Sequence, residues 1–168
     1  RNHRNIMNLL IHDANILIDL IKLDCIHFLF SLDYEMYTTN AVKYELYDEQ
    51  KRILDIYIAE NKLKIRKIED SEDDEVTQIF NKNERIISYP DATVYYVSKK
   101  MGGYLLTGDQ NLKLFAEKYG VEVKGIIWLF DEMKRKKVLT PSLYKEFLKK
   151  LEETNPRLPK KEIEKRIK

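Results

Sequence analysis

The sequence predicts an α/β protein in which a parallel sheet carries helices on both faces. Short apolar runs of strand length recur along the chain, each followed by a segment of helical period, which is the alternation that builds βαβ units. Two of these runs, Asn8 to Asp13 and Tyr104 to Asp109, end in an aspartate just where the period changes. The 168 residues, 43% of them hydrophobic, are enough for one domain with a substantial core and leave little room for a second.

The elements follow in order. Met7 directly precedes the first strand, so residues 1–6 read as an upstream remnant outside the fold and the domain as 7–168. Helical patterns run from Ile16 to Lys22 and from Cys25 to Leu32. Glu35 to Thr38 is a second strand, and Thr39-Asn40 supplies an N-cap for a helix from Asn40 to Tyr47. A longer helix is predicted from Asp48 to Asn61. Leu63 to Ile68 alternates apolar with charged, as a half-exposed edge strand does. The acidic run Glu69 to Glu75 suits the dipole of a helix placed at Val76 to Asn83 better than it suits a metal. Pro90 to Lys100 is the next helix, Gly102-Gly103 a turn, and the strand ending in Asp109 leads into a helix from Asn111 to Tyr119. A fifth strand falls at Val121 to Lys124. Helices at Ile126 to Lys137 and Pro141 to Glu153, then a short basic one beyond Pro159, complete the chain. The core is read as about 7–130 and the rest, about 131–168, as a basic helical extension.

Composition narrows the function classes. The longest apolar stretches fall far short of the roughly 20 residues of a membrane span, and no secretory signal is visible. The single cysteine, Cys25, excludes an internal disulfide framework and fits a reducing, cytoplasmic setting. From Lys134 onward there are 13 Lys or Arg against 5 Asp or Glu, whereas the preceding chain is acidic. A basic segment on an acidic body suits a polyanionic substrate; it is also what a solvated helical surface looks like. Lys134, Arg135, Lys136 and Lys137 are the densest basic run and the candidate contact to an RNA backbone. Of eleven tyrosines, Tyr34, Tyr37, Tyr44, Tyr47, Tyr57, Tyr95 and Tyr96 sit in segments where burial is expected.

Four acids are the candidate chemistry: Asp13, Glu45, Asp91 and Asp109. Ligands of open parallel sheets collect outside the carboxyl ends of the strands, where Asp13 and Asp109 would lie. Glu45 and Asp91 sit in helical segments and must lean over the same edge. Carboxylates brought together favour a hard cation such as Mg²⁺, which takes a few oxygen ligands and keeps several waters. Each acid also has an ordinary role: Asp13 and Asp109 as helix caps, Asp91 as a first-turn dipole partner, and Glu45 as a surface residue with Glu35 and Glu49 as competitors. The histidines are too dispersed for a zinc site, and His12 is expected on the face away from Asp13 in a structural role.

At these residues the chain resembles a PIN domain, the metal-dependent nuclease fold of VapC-like toxins. The resemblance rests on Ile11-His12-Asp13-Ala14-Asn15-Ile16-Leu17, on Glu45 within Ala41 to Leu46, on Asp91-Ala92 opening a helix, and on Leu105-Leu106-Thr107-Gly108-Asp109 before a helix and Gly120-Val121. It implies a three-layer α/β/α sandwich with a five-stranded parallel sheet in the order 3-2-1-4-5, to which the C-terminal helices are extra. It further implies Mg²⁺ or Mn²⁺ held by Asp13, Asp91, Asp109 and Glu45, with Asn15 and Thr107 steadying the site. RNA would be the substrate, a small antitoxin the partner, and the chain would form a homodimer. A non-catalytic PIN-like RNA-binding or scaffolding module shares the fold. A phosphotransfer receiver would need paired acids on the first strand and a lysine on the last, and Asp13 stands alone on the first.

Overall fold

A computed structural model describes residues 8–168, so the segment 1–6 read as a remnant lies outside the described residues. Five strands, β1 (Leu9–His12), β2 (Glu35–Thr39), β3 (Lys64–Arg66), β4 (Tyr104–Leu106) and β5 (Val123–Lys124), form one sheet. Their order is β3-β2-β1-β4-β5 and every pairing is parallel. The helices are α1 (Ala14–Lys22), α2 (Ile26–Leu29), α3 (Asn40–Glu45), α4 (Asp48–Ala59), α5 (Asp70–Lys82), α6 (Tyr89–Met101), α7 (Gln110–Lys118), α8 (Ile126–Arg135), α9 (Pro141–Thr154) and α10 (Lys160–Ile167).

Strand alternation divides the core into two. Leu10, Met36 and Leu106 point to the face covered by α1, α2, α8 and α9, while Ile11, Leu105 and Val123 point to the face covered by α6 and α7. The central strands are apolar on both faces, as a sheet buried on both sides requires. Helix α6 is the most enclosed element, with every residue from Asp91 to Ser98 buried.

Two expectations shift. Helix α5 begins at Asp70, six residues before the predicted start, because the Glu69 amide donates to Glu72 Oε1 at 3.0 Å and closes the first turn within the acidic run. Glu72 also holds Arg66 in a two-pronged ion pair at 2.8 and 2.7 Å and accepts from the Tyr96 hydroxyl at 3.2 Å. Its carboxyl is pulled down to about 2, chiefly by Arg66, so this acid is a structural brace. The residues after 130 are likewise structural. Leu139, Tyr144, Phe147, Leu148, Leu151 and Ile163 share one core with Leu10, Leu17 and Leu106, and Arg166 clamps α10 to Asp131 of α8 at 2.9 Å. The C-terminal helices complete one wall of the sandwich.

Candidate metal centre

Strands β1 and β4 are hydrogen-bonded neighbours, and each is followed at its carboxyl end by an aspartate and a helix. Asp13 caps α1: its Oδ1 accepts from the Ala14 amide at 2.8 Å, while Oδ2 accepts from Thr107 Oγ1 at 2.6 Å. The same Thr107 oxygen accepts from the Asp109 amide at 3.0 Å. Thr107 thus joins the two strand ends through one hydroxyl. Asp109 caps α7 with Oδ1 alone, accepting from the Asn111 and Leu112 amides at 2.9 and 3.1 Å. Asn15 Oδ1 accepts from the Gly108 amide at 3.0 Å and pins the loop between them. The capping role and the site role therefore coexist, since a cap uses a fraction of a carboxylate's lone pairs.

Asp91 is the third residue of α6. Its Oδ2 accepts from the Ser88 amide at 3.0 Å, and Ser88 Oγ accepts from the Asp91 amide at 3.2 Å, a reciprocal box that fixes the side chain. The Ser-x-x-Asp spacing that signals this box was legible in the sequence and had no place in its reading. Glu45 ends α3, is exposed, and makes no hydrogen bond or ion pair among the described residues. Its competitor Glu35 opens β2 at the opposite edge of the sheet, where it accepts from the Tyr37 hydroxyl.

A buried hydroxyl pair sets how α3 meets α6, and sequence reasoning missed it beyond the N-cap role of Thr39. Thr93 Oγ1 donates to the Pro90 carbonyl at 2.6 Å and lies 2.8 Å from Thr39 Oγ1. With the Thr93 proton so committed, Thr39 donates across the pair while its own oxygen accepts from the Val42 amide at 3.2 Å. Both side chains are completely buried. One contact thereby links the helix ending in Glu45 to the first turn that carries Asp91.

The four acids share one electrostatic field. Burial is the largest influence on Asp13, pushing its carboxyl up to about 6; the Thr107 hydrogen bond opposes this, and the charges of Asp91 and Asp109 add to it. Asp91 is raised first by burial and further by Asp109, and Glu45, though exposed at its surface, by partial desolvation on its inner side and then by Asp91. Among the described residues no three His, Cys, Asp or Glu side chains already close around a single metal position. The donor set nonetheless fits a hard divalent cation: it is all oxygen, poor in neutralising partners, and such ions keep several waters beside one or two carboxylates. Cys25 lies in the core, and so does His12, fully buried with neither ring nitrogen hydrogen-bonded. Burial drives the His12 imidazole down to about 3, which keeps it neutral.

The basic run is not part of this edge. Lys136 pairs with Asp33 at 2.7 Å, two residues before β2 begins, which places the end of α8 at the amino ends of the strands. Arg135 is engaged by Glu132 and Lys134 lies over the Tyr144 ring. Lys137 sits in the left-handed region at φ 62°. A five-residue strand separates this rim from the carboxylates by about 15 Å. The tyrosines divide as well. Tyr95 and Tyr96 are buried as expected, whereas Tyr44 and Tyr47 are 82% and 77% exposed, because α3 turns Val42 inward and Leu46 anchors the corner between the two rings.

The family model DUF3368, a PIN domain, matches residues 9–168, nearly the whole chain and the C-terminal helices with it. No curated protein matches the chain.

Proposed function

Since the chain belongs to the PIN-domain family, a nuclease-type fold, we propose that it is a metal-dependent endoribonuclease whose centre is Asp13, Asp91, Asp109 and Glu45. The observation that carries this reading is the joining of Asp13 to Asp109 through Thr107 at the carboxyl ends of adjacent central strands, within the field of Asp91. PIN domains typically use divalent metals. Bound Mg²⁺ or Mn²⁺ would supply an activated water and neutralise charge on the scissile phosphate and the leaving oxygen. Asp13, Asp91 and Asp109 would hold the ion, with Glu45 reaching it directly or through water.

The protein's own groups do the rest. Thr107 fixes the orientation of the Asp13 carboxylate, and Asn15 holds the Gly108 backbone by accepting from its amide. Asp13, its carboxyl pushed up to about 6 chiefly by burial, would have to be ionised to hold the cation, so metal affinity is expected to rise with pH through that range. The run Lys134 to Lys137 would act at a distance on the RNA backbone, since it lies at the other rim.

The finer reading is a VapC-like toxin, working in the cytoplasm as a homodimer and restrained by a small antitoxin. It is supported by the order of the four acidic motifs along the chain. Growth arrest on expression, relieved by Asp13→Asn, is its expected signature.

The decisive experiment is cleavage of total cellular RNA by purified protein with Mg²⁺ or Mn²⁺ and with chelator, comparing the parent with Asp13→Asn and Asp109→Asn. Cleavage is expected to require the metal and both carboxylates. Undiminished cleavage by Asp13→Asn, or cleavage in chelator, overturns the proposal. RNA binding without cleavage in any metal would instead assign the chain to the non-catalytic PIN-like modules.

A further inference from the structure

Tyr44 and Tyr47 are the most exposed of the large hydrophobic side chains among the described residues, at 82% and 77%. They bracket Glu45, which ends the helix that the Thr39–Thr93 hydroxyl pair joins to the first turn of α6, where Asp91 stands. Exposed as they are, they stand on a braced corner. Lys43 Nζ is 2.6 Å from Asp55 Oδ1, which ties α3 to α4, and the Gln50 side chain accepts from the Tyr47 amide at 2.9 Å. Leu46, between the two rings, is 5% exposed and anchors the backbone. Lys51 Nζ lies over the Tyr44 ring, 5.4 Å from its centre, so a cation backs one face of a ring that is largely exposed.

We propose that Tyr44 and Tyr47 form a base-stacking platform that receives unpaired bases of an RNA strand whose backbone crosses the carboxylate edge, with Lys51 taking an adjacent phosphate. The proposal rests on the nuclease reading above and names how that site grips its substrate. An aromatic face stacks any base, and a neighbouring cation meets the charge of the backbone, which is the pairing that single-stranded nucleic acid requires. The braced corner means that little ordering is needed on binding. Composition and area favour this occupant over a second copy of the chain. Around the tyrosines the surface is charged and mixed in sign, with exposed Asp48, Glu49 and Arg52 and half-buried Lys51 following directly. Of the other large exposed apolar side chains only Ile56 lies on the same pair of helices; Ile86, Leu114 and Tyr119 lie elsewhere. A copy-to-copy contact needs about 800 Å² on each partner with an apolar centre.

The test measures binding of a fluorescent single-stranded oligoribonucleotide by anisotropy in chelator, where no turnover occurs. The parent is compared with Tyr44→Ala, Tyr47→Ala and the two Phe variants, on the normal oligonucleotide and on one carrying abasic positions. Sedimentation of each protein is followed in parallel. Each Ala variant is expected to weaken binding by about five- to a hundredfold, the worth of one stacked base. The Phe variants restore it, and the abasic strand weakens the parent while making little difference to the Ala variants. Ala variants that bind as the parent does overturn the platform, and so does equal weakening by Ala and Phe. A shift in sedimentation at unchanged RNA affinity overturns it in favour of a contact between copies. Metal-dependent cleavage that survives such a result leaves the nuclease reading standing; a parent that neither binds nor cleaves RNA removes both.

Discussion

Replacing Asp13 by Asn should inactivate the protein and, without metal, make it more stable. The carboxyl is raised from 3.8 to about 6, so at neutral pH the fold holds ionised a group that the unfolded chain ionises far more easily. At about 1.4 kcal/mol for each pH unit, the penalty is on the order of 3 kcal/mol. Asn removes the charge but has one oxygen where Asp13 has two, so it keeps either the Ala14 or the Thr107 hydrogen bond and loses the other at about 1 to 2 kcal/mol. The net expectation is a gain of about 1 to 2 kcal/mol, or roughly 2 to 8 °C in melting temperature for a chain of this size.

The pH dependence fixes the sign. A carboxyl raised in the folded state binds its proton more tightly there, so its contribution to stability is present below 3.8 and is lost as pH rises through about 6. The advantage of Asp13→Asn should therefore be largest at pH 7.5 and shrink by pH 4. Thermal unfolding followed by circular dichroism in chelator measures it. Mg²⁺ or Mn²⁺ should then stabilise the parent and leave the variant nearly unchanged, because a ligand of the folded state stabilises by mass action. An Asp13→Asn protein that melts below the parent at pH 7.5 in chelator would refute the reasoning and reduce Asp13 to an ordinary helix cap.

Three further outcomes are expected. His12→Leu should raise stability by about 1 to 3 kcal/mol, since it removes a buried imidazole with no hydrogen-bond partner; it should also flatten the acid side of the stability profile, because the parent loses stability as pH falls from 6.5 towards about 3. A denaturant melt at pH 5 and at pH 7.5 checks both parts, and a loss at both values rejects them. Thr93→Val should cost about 1 to 3 kcal/mol by stranding the Thr39 hydroxyl, and should raise the Mn²⁺ concentration needed for half-maximal binding, measured by electron paramagnetic resonance on the folded protein, with Thr93→Ser restoring it. Reversing the charges of Lys134 and Lys137 should reduce RNA affinity and its salt slope while leaving turnover on saturating RNA intact; unchanged affinity and slope would remove the patch from the interface.

The layered fold was legible because its strands are pure types: Leu9–His12 and Tyr104–Leu106 are apolar runs bounded by aspartate caps, and period alone separates them from the helices that follow. Strand order came only with the resemblance, since nothing local in β1 says that β4 is its neighbour. Helix α5 was placed late because its first turn is all acid and polar, and only the Glu69 to Glu72 contact shows that it is already helical. The position of the basic run was illegible for a different reason. Lys134 to Lys137 span the end of a ten-residue helix that starts at the carboxyl edge and runs back to the other rim, a matter of helix length and direction that charge counting ignores. Tyr44 and Tyr47 misled because helices of six residues have too few positions to define a face.

Three of the four acids stand at helix starts: Asp13 caps α1, Asp109 caps α7, and Asp91 is in the first turn of α6. That placement answers how a fold can tolerate a carboxylate cluster before any cation arrives. Each helix N-terminus offers unpaired amides and a partial positive charge, which favour the ionised acid by about 0.3 to 1 kcal/mol. For Asp13 this help is outweighed by burial and by two like charges, so its carboxyl still rises to about 6. The balance is incomplete by design of the topology, because the parallel order brings β1 and β4 together and gives each only one following helix. In the proposed centre a divalent cation would supply what the helix starts cannot, and Asp13, the acid raised furthest by burial and by its neighbours, would gain from it directly.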